Sequence, residues 1–354
     1  MWWKKILIGL VILVVILYAA MHAALHFVDL NRFKPRISSA VQDATGRRLT
    51  IAGDLEVDFG LLPVLTAQDI ALQNESWGSR QEMIHLKRFQ VRIALLPLIL
   101  GRVEIASILL IGPDFLLEKN ASGQFNIPAG SAGAGTSSTA TPLIHRIEVK
   151  DAHLVFIDRQ SDRHLELMLD HARAELPDGN SPLEIDLEGT FNRTPVAVFG
   201  TIGRPLPAFA SGRKLPATLT VEIAENRFQL TGAVNNTGDF SGLDWRITGA
   251  GSSLPALGRL AGLENLPDPG PFKLQVELSG SPQHLALENL ILHLGDRGLA
   301  KIFLRGEVKD LLRLQDIDLQ VLATGDDLKN LEKLAGTTIP WQGEFRVSGR
   351  MIRR

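Results

Sequence analysis

The residue types that could do chemistry are present in this chain, but their spacing matches no catalytic motif. A zinc protease carries two histidines in H-E-x-x-H, and many serine hydrolases carry the nucleophile in a G-x-S-x-G turn; the sequence contains neither pattern. Four histidines fall in one region but lack the close spacing of metal ligands: His145, His153, His164 and His171. We interpret them as surface and strand-end residues, and we predict a protein that is not an enzyme and has no metal-binding residues.

Two glycine-rich segments approach phosphate-binding motifs without completing them. Residues 130–136 have the glycine spacing of a P-loop but carry threonine where that motif needs lysine. Gly249, Ala250 and Gly251 begin like a dinucleotide fingerprint, which would need a third glycine and a βαβ unit. The net charge of −2 supplies no basic face for nucleic acid. We therefore expect no cofactor and no nucleic-acid partner.

The N-terminus has the pattern of a membrane anchor. Lys4 and Lys5 precede the apolar run Ile6–Leu25, in which His22 is the only markedly polar residue, and about 20 apolar residues suffice to cross a bilayer. The alternative is a cleaved signal peptide, but no Ala-x-Ala site occurs between positions 18 and 27, and the chain has no cysteine for lipoprotein-type cleavage. The positive-inside rule keeps the two lysines in the cytoplasm, which places the rest of the chain outside it.

Residues 31–45 have the spacing of a short amphipathic helix. Pro35 is tolerated there only in the first turn, and Gly46 is a natural stop. The apolar positions recur every three to four residues, at Phe33, Ile37, Val41 and Ala44. Such a helix either lies on lipid headgroups or caps the first strands of the following domain.

Most of the remaining chain alternates apolar and polar residues, which predicts strands with one apolar and one wet face, as in antiparallel sheets. Roughly 18 to 20 such segments can be counted. The apolar residues of the clearest segments are our candidates for binding a ligand on the apolar face: Leu55, Val57, Phe59, Phe89, Val91, Ile93, Leu183, Ile185, Leu187, Leu219, Val221, Ile223, Phe272, Leu274, Val276 and Leu278.

A low-complexity segment and an internal repeat organise the chain. Residues 128–142 (PAGSAGAGTSSTATP) have nothing to bury and are typical of a linker or loop. The segment SLPALGRLAG recurs 74 residues later as DLKNLEKLAG, and each copy is followed by a strand ending in Ser-Gly. The predicted organisation is a cytoplasmic tip and anchor at 1–28, an N-terminal β section with a juxtamembrane helix at 29–127, the linker at 128–142, and a C-terminal β section at 143–354 that ends inside the repeat.

The order of these motifs resembles the AsmA family of envelope proteins. An anchor is followed by DLNRFKPRI, TGRRLTIAGDL, LLPVLTAQDIALQN and a segment that includes GPDFLLEKNASGQFNI, and the C-terminal section carries LPALGRLAG, GPFKLQVELSG and LENLILHLG. The resemblance implies a single-pass bacterial inner-membrane protein with its N-terminus in the cytoplasm and its bulk in the periplasm. It also implies a mainly β fold with few short helices, in which a long curved antiparallel-rich sheet forms an elongated apolar groove related to bridge-like lipid-transfer proteins.

The functional hypotheses follow from how the apolar faces are buried. Patterning alone favours a second sheet, as in a sandwich or closed barrel, whereas the resemblance favours a groove that a ligand fills. The groove predicts a non-catalytic protein that binds or transfers lipid in support of outer-membrane homeostasis, with phospholipid acyl chains, the inner membrane and other envelope proteins as partners. The alternatives are a structural factor for outer-membrane protein assembly, acting by β-augmentation, and an anchored hydrolase.

Overall fold

A computed structural model describes residues 29–58, 62–95, 97, 102, 104–127, 143–177, 181–204, 214–237, 241–252, 254–260, 268, 270–281, 283–295, 300–311, 313, 315–332 and 338–353. The predicted anchor at 1–28, Phe59 and the segment 128–142 lie outside these residues. Within the described ranges, no helix has the length and apolar character needed to cross a membrane. The described residues form two compact units, one of those up to 144 together with 154–164, the other of 145–153 together with those from 165 onward.

The first unit is a small sheet preceded by a helix. A 3₁₀ turn (Leu30–Phe33) leads into α1 (Lys34–Thr45), and the strands are β1 (Leu49–Ile51), β2 (Leu55–Asp58), β3 (Val64–Gln73), β4 (Glu82–Ile93), β5 (Glu104–Lys119) and β6 (Leu143–Ile144). Strand β3 pairs antiparallel with β1, β2 and β4, and β4 pairs antiparallel with β5. The short β6 runs parallel to the start of β5, so the sheet of this unit is mixed.

The predicted helix is present, and its ends have the expected chemistry. Pro35 lies in the first turn of α1, where its missing N–H has no helical partner to lose. The helix ends at Gly46, whose φ of 71° is the left-handed conformation that glycine adopts without a steric penalty. The Gly46 N–H donates to the Gln42 carbonyl oxygen at 2.7 Å. Helix α1 packs on β1, as the capping alternative predicted.

The second unit is a run of antiparallel strands. Its elements are β7 (Arg146–Asp158) and β8 (Arg163–Glu175), which share residues with the first unit, then β9 (Leu183–Phe191), β10 (Thr194–Ile202), β11 (Leu215–Ile223), β12 (Asn226–Asn236), β13 (Ser241–Gly251), α2 (Pro255–Leu260), β14 (Phe272–Ser281), β15 (His284–Leu294), β16 (Lys301–Asp310), β17 (Gln315–Gly325), a 3₁₀ turn (Leu328–Leu331) and β18 (Phe345–Arg353). From β8 to β18, each strand pairs antiparallel with the next one in the chain.

The connections between these strands set the register. Strands β9 and β10 are joined by Asn192 and Arg193, whose φ angles are 48° and 65°. Two consecutive residues with positive φ form the tight hairpin loop whose twist matches that of the flanking strands. A second pattern follows the repeat: its first copy supplies α2 between β13 and β14, and its second copy supplies the 3₁₀ turn between β17 and β18. The repeat unit is therefore a helical connector followed by four strands.

The observed fold agrees with the predicted class in its main features. Strands dominate the described residues, and the helical segments are few and short. The patterning-based expectation of two facing sheets is wrong for the described part of the second unit, where the pairings place β8 to β18 in one sheet. Period-two alternation shows only that a strand has one apolar and one polar face. It cannot show whether the apolar face is covered by a second sheet or by a ligand.

Candidate functional site: an apolar sheet face

One face of the sheet in the second unit is apolar across ten consecutive strands. Residues directly opposite each other in antiparallel strands project to the same side. Following these pairs from β9 to β18 gives one row of side chains: Leu187, Val198, Val221, Phe228, Gly249, Leu274, Leu292, Leu304, Val321 and Gly349. Every position in the row is an aliphatic residue, an aromatic residue or glycine.

The ten sequence-predicted residues of the second unit all lie on this face. Ile185 is opposite Gly200, which is opposite Leu219, and the row continues to Val276. The complete set is Leu183, Ile185, Leu187, Leu219, Val221, Ile223, Phe272, Leu274, Val276 and Leu278. The structure thus brings residues from three separate strands, β9, β11 and β14, onto one surface. Sequence reasoning did not name several of their neighbours, including Phe228 and Leu304.

The predicted residues of the first unit share a face of their own sheet. Leu55 is opposite Ala67, which is opposite Phe89. Val57 and Val91 are both opposite Leu65, on either side of β3. Ile93 pairs with Ile105 beyond a register shift. The described candidates are therefore neighbours here as well.

The apolar face of the second unit is only partly buried. Three side chains on this face are buried: Phe272 is 3% exposed, Val276 4% and Val308 6%. Leu274, Leu278 and most other large side chains on the face are only half-buried. Within the described part of this unit, the extensive contacts of each strand from β9 onward are with its neighbours in the sheet. Strand spacing and rise give the face an area on the order of 1,000 Å². A contiguous apolar surface of a protein often marks a binding site for a ligand or a partner.

The opposite face of the same strands is polar. On β14, Lys273 and Gln275 are exposed and Glu277 is half-exposed, alternating with the apolar residues. Glu277 accepts a hydrogen bond from Asn289 Nδ2 at 2.6 Å and one from Arg246 at 2.9 Å. These two hydrogen bonds lower the pKa of the Glu277 carboxyl below its usual value. The sheet therefore separates a wet ionic surface from an apolar one.

In the histidine region, two of the four histidines lie close to carboxylates. His153 Nε2 lies 2.8 Å from Glu166 Oε1 across the β7–β8 hairpin. His171 lies 3.7 Å from Asp186 and 3.9 Å from Glu188. Within the described ranges, no three His, Asp or Glu side chains are placed to hold one metal ion.

Sequence reasoning missed a buried polar cluster in the first unit, formed by Arg47, Asn74, Glu118, Asn126 and Arg159. Glu118 and Asn126 are fully buried. The side-chain oxygen of Asn126 accepts from the Glu118 amide at 2.8 Å, and its nitrogen donates to Asn74 Oδ1 at 2.9 Å. Arg47 donates to the Asn126 carbonyl oxygen at 3.0 Å. The cluster joins four segments that are distant in sequence, because Glu118 and Asn126 are only eight residues apart.

The Glu118 carboxylate is stabilised by hydrogen bonds to both of its oxygens. Oε2 accepts from the Ser79 amide at 2.8 Å and from Asn74 Nδ2 at 3.2 Å, and Oε1 accepts from Arg159 at 3.0 Å. Burial alone would raise the pKa of Glu118, but these bonds outweigh it and lower the pKa. Arg159 belongs to the turn DRQSDR at 158–163, which is polar in sequence and mostly exposed. Arg159 nevertheless donates to the buried Glu118 carboxylate. The sequence feature that could have indicated this cluster is a glutamate near the end of the long, largely apolar strand β5.

Comparison with known proteins places these features in a family. The sequence model of the AsmA family matches residues 3–254. The AsmA family protein YhjG of Escherichia coli (strain K12) is 28% identical over 279 residues, an alignment that covers 69% of this chain and 40% of the relative. The chain thus matches less than half of the length of that relative. The resemblance noted in the sequence is confirmed.

Proposed function

This chain belongs to the AsmA family, and we propose that it is a non-catalytic, membrane-anchored protein whose apolar sheet face binds the acyl chains of phospholipids. Family membership supports an envelope-associated role. The finer assignment, lipid binding or transfer in the periplasm from an inner-membrane anchor, is our proposal. The observation that carries it is the apolar face of β9–β18, which no second layer of described residues covers.

The hydrophobic effect explains why an acyl chain is a suitable occupant. Each methylene group removed from water contributes about 0.8 kcal/mol, so a chain of 16 carbons gains on the order of 10 kcal/mol. The same term makes escape of a lipid into water slow. A face that is apolar from one strand to the next lets an acyl chain move between equivalent sites without crossing water. Such transport needs no reacting side chain.

The polar face of the sheet also supports this proposal. Ion pairs such as Arg246–Glu277 and Arg350–Asp318 join neighbouring strands there. Their charged groups remain in solvent, where desolvation costs little. Acyl chains are therefore expected on one face of the sheet only.

One observation favours a second function, that of a structural or assembly factor for outer-membrane proteins. Strand β18 has one partner strand among the described pairings, β17. Most of its side chains are exposed, with Met351 at 49% and Ile352 at 60%. A strand edge without a second partner among the described residues can pair with an extended segment. This function would place the binding site on a backbone edge and leave the apolar face without a specific role.

A substitution on the apolar face tests the lipid proposal. Val276→Asp places a carboxylate among acyl-chain contacts, and an unpaired charge there costs several kcal/mol. We expect lipid that co-purifies with the full-length chain to fall about tenfold or more, measured by mass spectrometry after mild detergent extraction. Gln275→Asp is the matched control, because it introduces the same residue one position away on the wet face. Glu277→Lys should likewise be nearly silent.

Because Val276 is buried, its replacement can disturb folding, so Leu274→Asp serves as a second variant at a half-exposed position of the same strand. Circular dichroism identifies variants that retain the sheet. If both folded aspartate variants keep the lipid content of the parent chain, the acyl-chain site is refuted. Capture of an extended peptide by β18 in those variants would then support the assembly function.

A further inference from the structure

A basic cluster precedes and begins helix α1. Arg32, Lys34 and Arg36 fall within five residues of sequence. The guanidinium carbons of Arg32 and Arg36 lie 5.4 Å and 5.9 Å from the centre of the Phe33 ring, so both arginines are held beside one aromatic side chain. None of the ion pairs found among the described residues involves these three cations.

The charges around this cluster leave it with a positive excess. Residues 29–45, which comprise Asp29, the 3₁₀ turn and α1, contain three basic residues and two acids, Asp29 and Asp43, a local net charge of +1 in a chain whose total is −2. The Asp29 carboxylate accepts a hydrogen bond from the Asn31 amide at 2.9 Å. The first turn of α1 contains no acidic residue. The turn and the helix therefore keep a small positive excess, with all three basic residues at their N-terminal end.

Helix α1 also carries apolar surface that the protein leaves uncovered. The helix packs on β1, yet none of its residues is fully buried, and Ile37 is 38% exposed. At about 100° per residue, Lys34 and Arg36 flank the apolar stripe of Phe33, Ile37 and Val41. An apolar stripe with basic residues on its flanks is the arrangement of helices that lie at a membrane interface.

The position of the helix is fixed relative to the sheet of the first unit. Asn31 Oδ1 accepts a hydrogen bond from the Leu55 amide at 3.1 Å, which ties the 3₁₀ turn to β2.

In sequence, the apolar run that ends at Leu25 stops seven residues before Arg32. A segment of this length spans at most about 25 Å. If that run crosses the membrane, the basic cluster must lie close to the bilayer surface.

We infer that the 3₁₀ turn and α1 form a membrane-facing surface that binds anionic phospholipid headgroups. This inference rests on the membrane anchor in the proposed function and adds to it a specific contact with lipid charge. The arginines bind headgroup phosphates through their planar donor sets, and Phe33 and Ile37 enter the apolar boundary beneath them. Each basic residue at an anionic surface strengthens association roughly fivefold. The surface orients the first unit at the membrane from which the proposed lipids are drawn.

A fluorescence experiment on the full-length chain tests the inference. The chain has no cysteine, so Ala40→Cys allows a single environment-sensitive label on the exposed face of α1 beside Arg36. The labelled protein is placed in nanodiscs of phosphatidylcholine alone or with about 30% phosphatidylglycerol, a fraction that gives the surface an anionic potential. We expect quenching of the label by lipids with nitroxide on the acyl chain to rise severalfold with phosphatidylglycerol. High salt should reverse the rise because it screens surface charge.

Charge variants establish which residues are responsible. Arg32→Gln, Lys34→Gln and Arg36→Gln combined should abolish the dependence on phosphatidylglycerol. The matched control is Lys273→Gln, Arg305→Gln and Arg346→Gln, which removes the same charge from exposed strand positions and should leave the dependence intact.

The outcomes separate this surface from the proposed function. A chain that does not co-elute with nanodiscs refutes the anchor and this surface together. A chain that co-elutes but whose label is quenched equally with and without phosphatidylglycerol refutes the anionic surface alone. Cross-linking of the basic cluster to an acidic protein, without any lipid dependence, also overturns it. The lipid content of the Val276→Asp variant reports on the apolar face independently of all three results.

Discussion

At the scale of single residues, Glu118 shows how a buried charge is tolerated. A carboxylate without partners in a protein interior costs several kcal/mol. Glu118 avoids this cost because both of its oxygens accept hydrogen bonds, one of them from the Arg159 guanidinium. Its amide and carbonyl groups are also paired, with the side chain and the amide of Asn126. The residue therefore connects the turn after β3, the end of β5 and the turn at 159–162.

Replacing this carboxylate should loosen the segments that it joins. Glu118→Gln keeps the size of the side chain but removes the ion pair with Arg159 and turns one acceptor into a donor that faces other donors. We expect a loss of stability in the first unit of about 2 kcal/mol. Deuterium exchange of the peptides covering 74–81 and 118–127 should accelerate accordingly. Glu56→Gln, at an exposed position of β2, is the control and should exchange like the parent chain.

The same residue predicts acid sensitivity of the first unit. Hydrogen bonding holds the pKa of Glu118 below its ordinary value of 4.5, and that of Asp158 below 3.8. A carboxyl whose pKa is lower in the folded state stabilises that state above its unfolded pKa, and the contribution disappears as the pH falls through the folded pKa. Protection factors in this unit, which are corrected for the slower chemical exchange of amides in acid, should therefore fall below about pH 4. Acid sensitivity that remains unchanged in Glu118→Gln would show that other groups dominate.

At the scale of elements, the close pairing of strands depends on glycines on the apolar face. A Cβ atom at Gly306 in β16 would lie 2.0 Å from the Asp318 carbonyl oxygen of β17, and its φ is 154°. A Cβ atom at Gly349 in β18 would meet nothing within 4 Å. Both glycines lie on the apolar face, opposite apolar residues of β17. The two positions therefore differ mainly in the space available for a Cβ atom.

These two glycines give a matched pair of substitutions. Gly306→Ala should destabilise the β16–β17 pairing by about 1–3 kcal/mol, because the strands must separate or the backbone must adopt a strained conformation. Gly349→Ala should be nearly neutral. Deuterium exchange of the peptides from β16 and β17 measures the difference. Equal protection in the two variants would mean that the strands do not approach as closely as the structure shows.

At the scale of the whole molecule, the proposed function depends on which side of the membrane the β body occupies. Lys4 and Lys5 precede one apolar run, and no second run of that length follows in the sequence. The positive-inside rule then predicts a cytoplasmic N-terminus and a periplasmic body. A reporter that is active only in the periplasm, fused after Arg354, should be active. Reversing the charge bias with Lys4→Glu and Lys5→Glu should reduce that activity, whereas activity of a cytoplasm-only reporter in the parent fusion would refute the topology.

The sequence by itself determined the local structure of this protein. Helix α1 and its stop at Gly46, the alternating strands and the assignment of residues such as Leu274 and Lys273 to opposite faces all follow from short-range periodicity and turn chemistry. These properties depend on the backbone geometry of a few neighbouring residues, so they can be inferred without knowledge of the rest of the chain.

Only the tertiary structure decided which residues meet across strands. The row that joins Leu187 to Leu304 depends on seven successive registers, which are set by the connections and by bulges that the alternation does not reveal. The polar cluster joins Arg47, Glu118 and Arg159, which are remote in sequence and individually resemble ordinary surface residues. Burial of a charge becomes favourable only when every partner is in place at once, and this cooperative condition has no local signature in the sequence.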